Sequence, residues 1–231
     1  MSHHVSAVPF GEVAKRVDRL WCPSQGPAHH AIFGMTGAGK TYLITRGLMA
    51  MMSRQRVLVI DVKGDDRTWD GYGTPVTHLD PGFMGQCRLD VQAAARSGTD
   101  PKALVKRALD IAADEGHMTL IIDELHTVAQ TFGLGGQIES LLRSARSREC
   151  SLVLATQTIG YASVTLKDQC QFVWVGHSGD ARRQRDVADV IGQPKSFLPV
   201  LQGIRGREWL YTDDIGAHRC MALTQVPSLA A

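Results

Sequence analysis

The sequence predicts an α/β fold: a central, mainly parallel sheet with helices on both faces and a β-hairpin near the C-terminal end. Three observations predict it. Short apolar runs rich in β-branched residues, such as Arg56–Asp61 and Met118–Asp123, alternate with stretches whose apolar residues recur at helical spacing. A glycine-rich segment, Gly34–Thr41, joins the first such run to a helix. Two late stretches, Glu208–Thr212 and His218–Thr224, have strand-forming composition on either side of a turn.

Taken in order, residues 11–20 read as a helix, and Pro23 to Pro27 break the chain before a first core strand at about His30–Phe33. A helix over about Thr41–Ser53 ends in basic residues. Arg56–Asp61 is a buried strand. Residues 64–100 are rich in Gly, Asp and Pro, which predicts loops with short strands near 77–79 and 87–90. Pro101 opens a helix to about Gly116, with Leu104, Ala108 and Ile111 on one face. Met118–Asp123 is the third strand. Gly135 to about Arg148 is helical, with Ile138, Leu141, Leu142 and Ala145 in register. Ser151–Thr156 and Gln171–Gly176 are the fourth and fifth strands, and Asp180–Ile191 is a helix. The hairpin follows, and the last few residues are expected to be loose. No linker divides the chain, so one domain is expected over 1–231: an extension at 1–28, a core at 29–192 and a C-terminal extension with the hairpin at 193–231.

Composition narrows the class. The 231 residues are 44% hydrophobic and 21% charged, which suits one soluble globular core. The formal net charge is only +2, so any nucleic-acid contact must come from local clusters. The five cysteines are odd in number and include no C-x-x-C pair, which argues against a disulfide framework or zinc knuckle and fits a reducing compartment. The adjacent pairs His3-His4 and His29-His30 lack metal-site spacing. No apolar run approaches the roughly 18 residues that span a bilayer, and the first residues lack a signal-peptide pattern. A cytoplasmic location is expected.

Gly34-Met35-Thr36-Gly37-Ala38-Gly39-Lys40-Thr41 matches G-x-x-x-x-G-K-[ST] in full, after a predicted strand and at the start of a helix. In such a loop the glycines let backbone N–H groups turn toward a β-phosphate, the lysine reaches the β- and γ-phosphates, and the threonine hydroxyl binds Mg²⁺. The helix that follows adds its positive end. Gly34 to Tyr42 are therefore the expected ATP-binding residues, with Lys40 also catalytic and Thr41 a metal ligand. The plain alternative is a glycine-rich turn with a chance lysine.

Met118–Asp123 ends in Asp123-Glu124. Asp123 suits the Mg²⁺-holding acid of a Walker-B strand, and Glu124 can orient and polarise an attacking water. Asp-Glu pairs of this kind mark the RecA-like (ASCE) branch of P-loop NTPases, and that resemblance implies a sheet of order 5-1-4-3-2. The inserted strand would be Ser151–Thr156, with Gln157 after it placed to sense the γ-phosphate. An ordinary polar strand cap is the alternative for Gln157.

Arg143, Arg146 and Arg148 lie on the helix before that strand. Glu139 and Arg143 are spaced to pair with each other, whereas Arg146 has no acid three or four residues before it. Arg146 could act as an arginine finger on a neighbouring subunit's γ-phosphate, and Arg182 is a second candidate. For both, a solvated basic face is the alternative.

Four segments give the sequence a resemblance to the FtsK–HerA family of DNA-pumping ATPases: Phe33–Thr41, Val59–Gly64, Ile121–His126 and Leu141–Gln157. In the last, Arg146 precedes Gln157 of Ala-Thr-Gln by eleven residues, a spacing that family members share. Asp180-Ala-Arg182 resembles a D-x-R found in FtsK. Together these span about 33–192. The resemblance implies Lys40 and Thr41 at phosphate and Mg²⁺, Asp123 at Mg²⁺, Glu124 as catalytic carboxylate, Gln157 as sensor and Arg146 as finger. Lys63 falls where the family has a polar turn and reads as a solvated loop lysine. Without membrane helices, an N-terminal barrel or a winged helix, the chain resembles a bare motor domain, like the small genome-packaging ATPases of membrane-containing double-stranded DNA viruses. Expected partners are double-stranded DNA, a homo-oligomeric ring of five or six subunits, and capsid vertex or portal proteins, with action in the host cytoplasm. Lys102, Lys106, Arg107, Arg183 and Arg185 are candidate DNA contacts or else a solvated helix face. A cellular or conjugation-type DNA pump, a small-molecule kinase and a regulatory ATPase switch are the other readings.

Overall fold

A computed structural model describes residues 5–21, 27–52, 56–158, 166, 169–191, 198–213 and 220–227. Ten strands form one mixed sheet: β1 (Ser6–Ala7), β2 (His30–Phe33), β3 (Val57–Asp61), β4 (Thr74–Val76), β5 (Gln86–Asp90), β6 (Met118–Ile122), β7 (Cys150–Thr156), β8 (Phe172–Val175), β9 (Glu208–Asp213) and β10 (Cys220–Gln225). Their order is β1-β10-β9-β8-β2-β7-β6-β3-β5-β4. This differs from the expected 5-1-4-3-2. The run β8-β2-β7-β6-β3 is flanked by β5 and β4 on one side and by β9, β10 and β1 on the other. The extra strands come from stretches read as loops or extensions. Pairing is parallel from β8 to β4, and antiparallel where β9 joins β8 and β10.

The helices are α1 (Phe10–Leu20), α2 (Lys40–Tyr42, continuing to Leu48), α3 (Val91–Arg96), α4 (Pro101–Glu115), α5 (Gly135–Ser144), α6 (Ala181–Val190) and α7 (Leu198–Gly203). Strand side chains alternate between two cores. Leu58 and Ile60 of β3 enter a core with Leu104, Ala108 and Ile111 of α4. Val57 and Val59 enter the other, with Val13 and Val17 of α1 and Leu43 and Leu48 after the glycine-rich loop. The continuous apolar runs of β3, β6 and β7 are thus explained by burial on both faces.

Three local expectations change. The helix after Lys40 winds as a π-helix over Leu43–Leu48, with Met49 N–H donating 2.8 Å to Ile44 O, five residues back. Gly47 lets it approach α1, since a Cβ there would lie 2.8 Å from the Phe10 ring. Its expected end at Ser53 lies outside the described residues. Between 64 and 100 the strands fall at Thr74–Val76 and Gln86–Asp90, and α3, capped by the Asp90 carboxylate on Ala93 N–H at 2.8 Å, was not anticipated. The helix expected to run to Arg148 ends at Ser144 and tightens into a 3₁₀ turn over Ala145–Arg148. The Pro23 break, the His218 start of the hairpin and the final residues lie largely outside the described residues.

Candidate nucleotide site

The site forms at the C-terminal ends of β2, β6 and β7, where adjacent parallel strands deliver their loops to one edge. The Gly34–Thr41 loop leaves β2 and is tied to β7 on one side and to the segment just after β8 on the other. Gly34 N–H donates 3.3 Å to Thr156 O, and Met35 N–H donates 3.2 Å to His177 O. Gly37 and Gly39 take φ of 80° and 86°, a left-handed backbone that a side chain would strain. This holds the peptide in a tight cradle. Lys40 Nζ lies inside it, donating 2.9 Å to Gly34 O and 3.3 Å to Met35 O. Lys40 is buried, and desolvation lowers its pKa.

Thr41 Oγ1 donates to Asp123, 3.1 Å from Oδ2 and 3.4 Å from Oδ1. Trp69 Nε1 donates to the same Oδ2 at 3.4 Å. Burial raises the Asp123 carboxyl to about 6, against the pull of the Thr41 hydrogen bond and the Lys63 charge. The hydroxyl and carboxylate are hard oxygen donors close enough to share one ion. That suits Mg²⁺, which takes few protein ligands and fills its octahedron with water and phosphate oxygens.

Glu124 is buried at the same edge. Its Oε2 accepts from Gln157 Nε2 at 2.9 Å and pairs with Lys63 Nζ at 3.0 Å. Gln157 Oε1 in turn accepts from Thr36 Oγ1 at 2.8 Å. A continuous chain therefore runs from the tip of the glycine-rich loop through Gln157 and Glu124 to Lys63.

The structure thus gathers Thr36, Lys40, Thr41, Asp123, Glu124 and Gln157. Among the described residues no hydrogen bond or ion pair joins the side chain of Arg146 or Arg182 to them. Arg146 sits in the 3₁₀ turn before β7 and its charge bears on His29, at the opposite end of β2. Arg182 lines a cavity of about 580 Å³ with Arg185, Asp186, Ala188, Asp189 and Leu198. Lys63, Asp66 and Trp69 were not anticipated as site residues. All three lie in the loop after β3, where Asp66 lies near the Thr41 hydroxyl, Trp69 donates to Asp123 and Lys63 pairs with Glu124. The signal available in the sequence was Asp61-Val-Lys63-Gly64 at the end of a buried strand adjacent to the Asp123 strand.

No sequence-family model matches the chain, and no curated protein matches it. Solved structures do. The genome packaging NTPase B204 from Sulfolobus turreted icosahedral virus 2, in complex with AMPPCP, superposes with a TM-score of 0.64 at 15% identity, over 90% of this chain and 100% of that one. VirB4 of Thermoanaerobacter pseudethanolicus gives 0.57 at 13% identity, over 87% and 89%. The pCW3 conjugation coupling protein TcpA, with ATPγS, gives 0.53 at 16%, over 87% of this chain and 60% of that one. At these identities the likeness is one of fold.

Proposed function

We propose that this chain is an ATP-hydrolysing motor that moves double-stranded DNA, and that it serves viral genome packaging. One observation carries the reading: the cradle around Lys40, the Thr41–Asp123 pair and the Glu124–Gln157 pair converge on one sheet edge. In this reading the loop from Gly34 to Thr41 cradles the phosphates of ATP. Lys40 exchanges its loop carbonyls for β- and γ-phosphate oxygens, and Tyr42 borders the nucleoside. Thr41 and Asp123 would hold Mg²⁺, which neutralises phosphate charge when bound. Glu124 orients and polarises the attacking water, and Gln157 reports the γ-phosphate. Loss of that phosphate breaks the Thr36–Gln157–Glu124 chain or remakes it, which couples hydrolysis to loop movement.

The core is RecA-like, and the whole chain acts as one domain. In this reading Arg146, remote from its own chain's site, serves a neighbour's in a ring, with Arg182 as second candidate. Lys102, Lys106, Arg107, Arg183 and Arg185 are proposed for DNA phosphates. Lys106 is already paired with Asp110 at 2.8 Å and Arg183 with Asp180 at 3.6 Å, so DNA would have to displace these acids. The fold likeness to B204 supports packaging. The likeness to VirB4 and TcpA supports a conjugation-type pump as the second reading.

The test is ATPase rate with and without long double-stranded DNA, over a salt series. Stimulation by DNA that fades steeply with salt is expected. Hydrolysis indifferent to DNA, in a chain that does not bind it, would remove the translocase reading and leave a switch. Phosphoryl transfer to a small acceptor would make it a kinase.

A further inference from the structure

We propose that Arg207, lying on the Tyr42 ring, is the platform on which the base of a bound nucleotide stacks. This rests on the reading of Gly34–Thr41 as a phosphate loop. The two residues are far apart in sequence and meet beside Gly39. The Arg207 guanidinium carbon sits 4.2 Å from the centre of the Tyr42 ring. A Cβ built on Gly39 would lie 3.9 Å from both Arg207 Cγ and Tyr42 Cβ.

Topology orients the ligand. β7 and β8 flank β2 on opposite sides. The groups suited to the γ-phosphate, Glu124 and Gln157, come from the β6–β7 side. Arg207 comes from the turn that opens β9, beyond β8. A triphosphate with its γ end at Glu124 and its β-phosphate at Gly39 and Lys40 therefore runs its nucleoside toward Tyr42 and Arg207.

Both groups are held in place. Tyr42 donates its hydroxyl 2.6 Å to Pro227 O, which fixes the ring plane. The Arg207 backbone is pinned by a tight turn, with Glu208 N–H on Arg205 O at 2.9 Å and Arg205 N–H on Glu208 Oε2 at 2.8 Å. Arg207 itself is exposed, and among the described residues no carboxylate pairs with it. An exposed planar cation resting over a phenol ring suits a nucleobase, which offers a π-face of matching shape. Stacking reads no base edge, so ATP and GTP should bind with similar affinity.

The experiment measures binding of ATP, GTP and inorganic tripolyphosphate to the full chain, for wild type, Arg207→Ala and Arg207→Lys. The expected result is roughly a ten-fold weakening of both nucleotides in either variant, with tripolyphosphate unchanged. Equal weakening of tripolyphosphate, or rescue by lysine, would make Arg207 a phosphate contact and overturn the platform. Unchanged nucleotide binding in both variants would overturn it too. A wild-type chain that binds neither nucleotide nor tripolyphosphate would instead refute the phosphate loop, and the platform with it. Melting curves check that both variants fold, as expected for an exposed side chain.

Discussion

At one end of β2, His30 lies between the rings of Trp21 and Phe172, 4.4 Å from each. Four residues on, Gly34 opens a loop whose neighbours are a lysine, two acids and a glutamine. The aromatic end is closed upon itself. Arg16 grips the buried Asp213 carboxylate through two hydrogen bonds of 2.6 and 2.8 Å, and Tyr211 donates to it at 2.5 Å. His29 Nδ1 accepts from Leu152 N–H and His30 Nδ1 from Trp174 Nε1, so both rings are held neutral. At the loop end, desolvated charges are kept instead: Asp123 is pushed up to about 6 and Lys40 pushed down. A fold that neutralises charge at one end of a strand and holds it out of water at the other is arranged for chemistry at the second.

Breaking each end should have opposite signatures. The largest effect expected is from Lys40→Ala, which removes the cation from the cradle. ATP hydrolysis should fall at least ~10²–10³-fold with little change in the melting temperature, checked by phosphate release and calorimetry. Arg16→Ala should do the reverse. It leaves a buried carboxylate without its cation, at a cost of about 3 kcal/mol, seen as a lower denaturant midpoint with nucleotide affinity retained.

Acid should act first on the aromatic end. Burial depresses His29 to about 4 and His30 to about 3, so the unfolded chain takes up protons in a range where the fold does not. Stability is therefore full above about pH 6.5, falls as pH drops through that value, and levels only near the folded values. By pH 5 the loss should approach about 2 kcal/mol per histidine, measured by chemical denaturation at several pH values. Replacing His30 by Gln should flatten the slope.

The smallest effect sharpens the comparison within the site. Lys63→Met removes one of the partners on Glu124 from a half-exposed pair, so its energetic weight is modest. The turnover number should fall only several-fold, with KM for ATP unchanged, and Lys63→Arg should restore most of it.

The loop end was legible in the sequence because its chemistry is packed into short contiguous motifs. Gly34–Thr41 and Asp123-Glu124 need no tertiary knowledge, and the resemblance to RecA-like P-loop NTPases, not periodicity, pointed to Gln157 beside them. Lys63, Asp66, Trp69 and Arg207 were not, because each reaches the site only through the pairing of β3 with β6 or of β9 with β8. The aromatic end was invisible for the same reason: Arg16 and Asp213 meet across most of the chain. At Thr74–Val76 and Val91–Arg96 local composition pointed to loop; pairing with β5 made the first a strand, and the Asp90 cap with burial of Val91 and Ala94 made the second a helix.

The most direct test of the account is Glu124→Gln, compared with wild type for ATP binding, ATP hydrolysis and melting temperature on the same preparation. The amide keeps the shape and the contact with Gln157 but cannot polarise water. Hydrolysis should fall ~10²–10⁴-fold, while ATP still binds and the melting temperature holds. Turnover near the wild-type rate would contradict the account, and would mean that Glu124 only helps to tie the loop to Lys63.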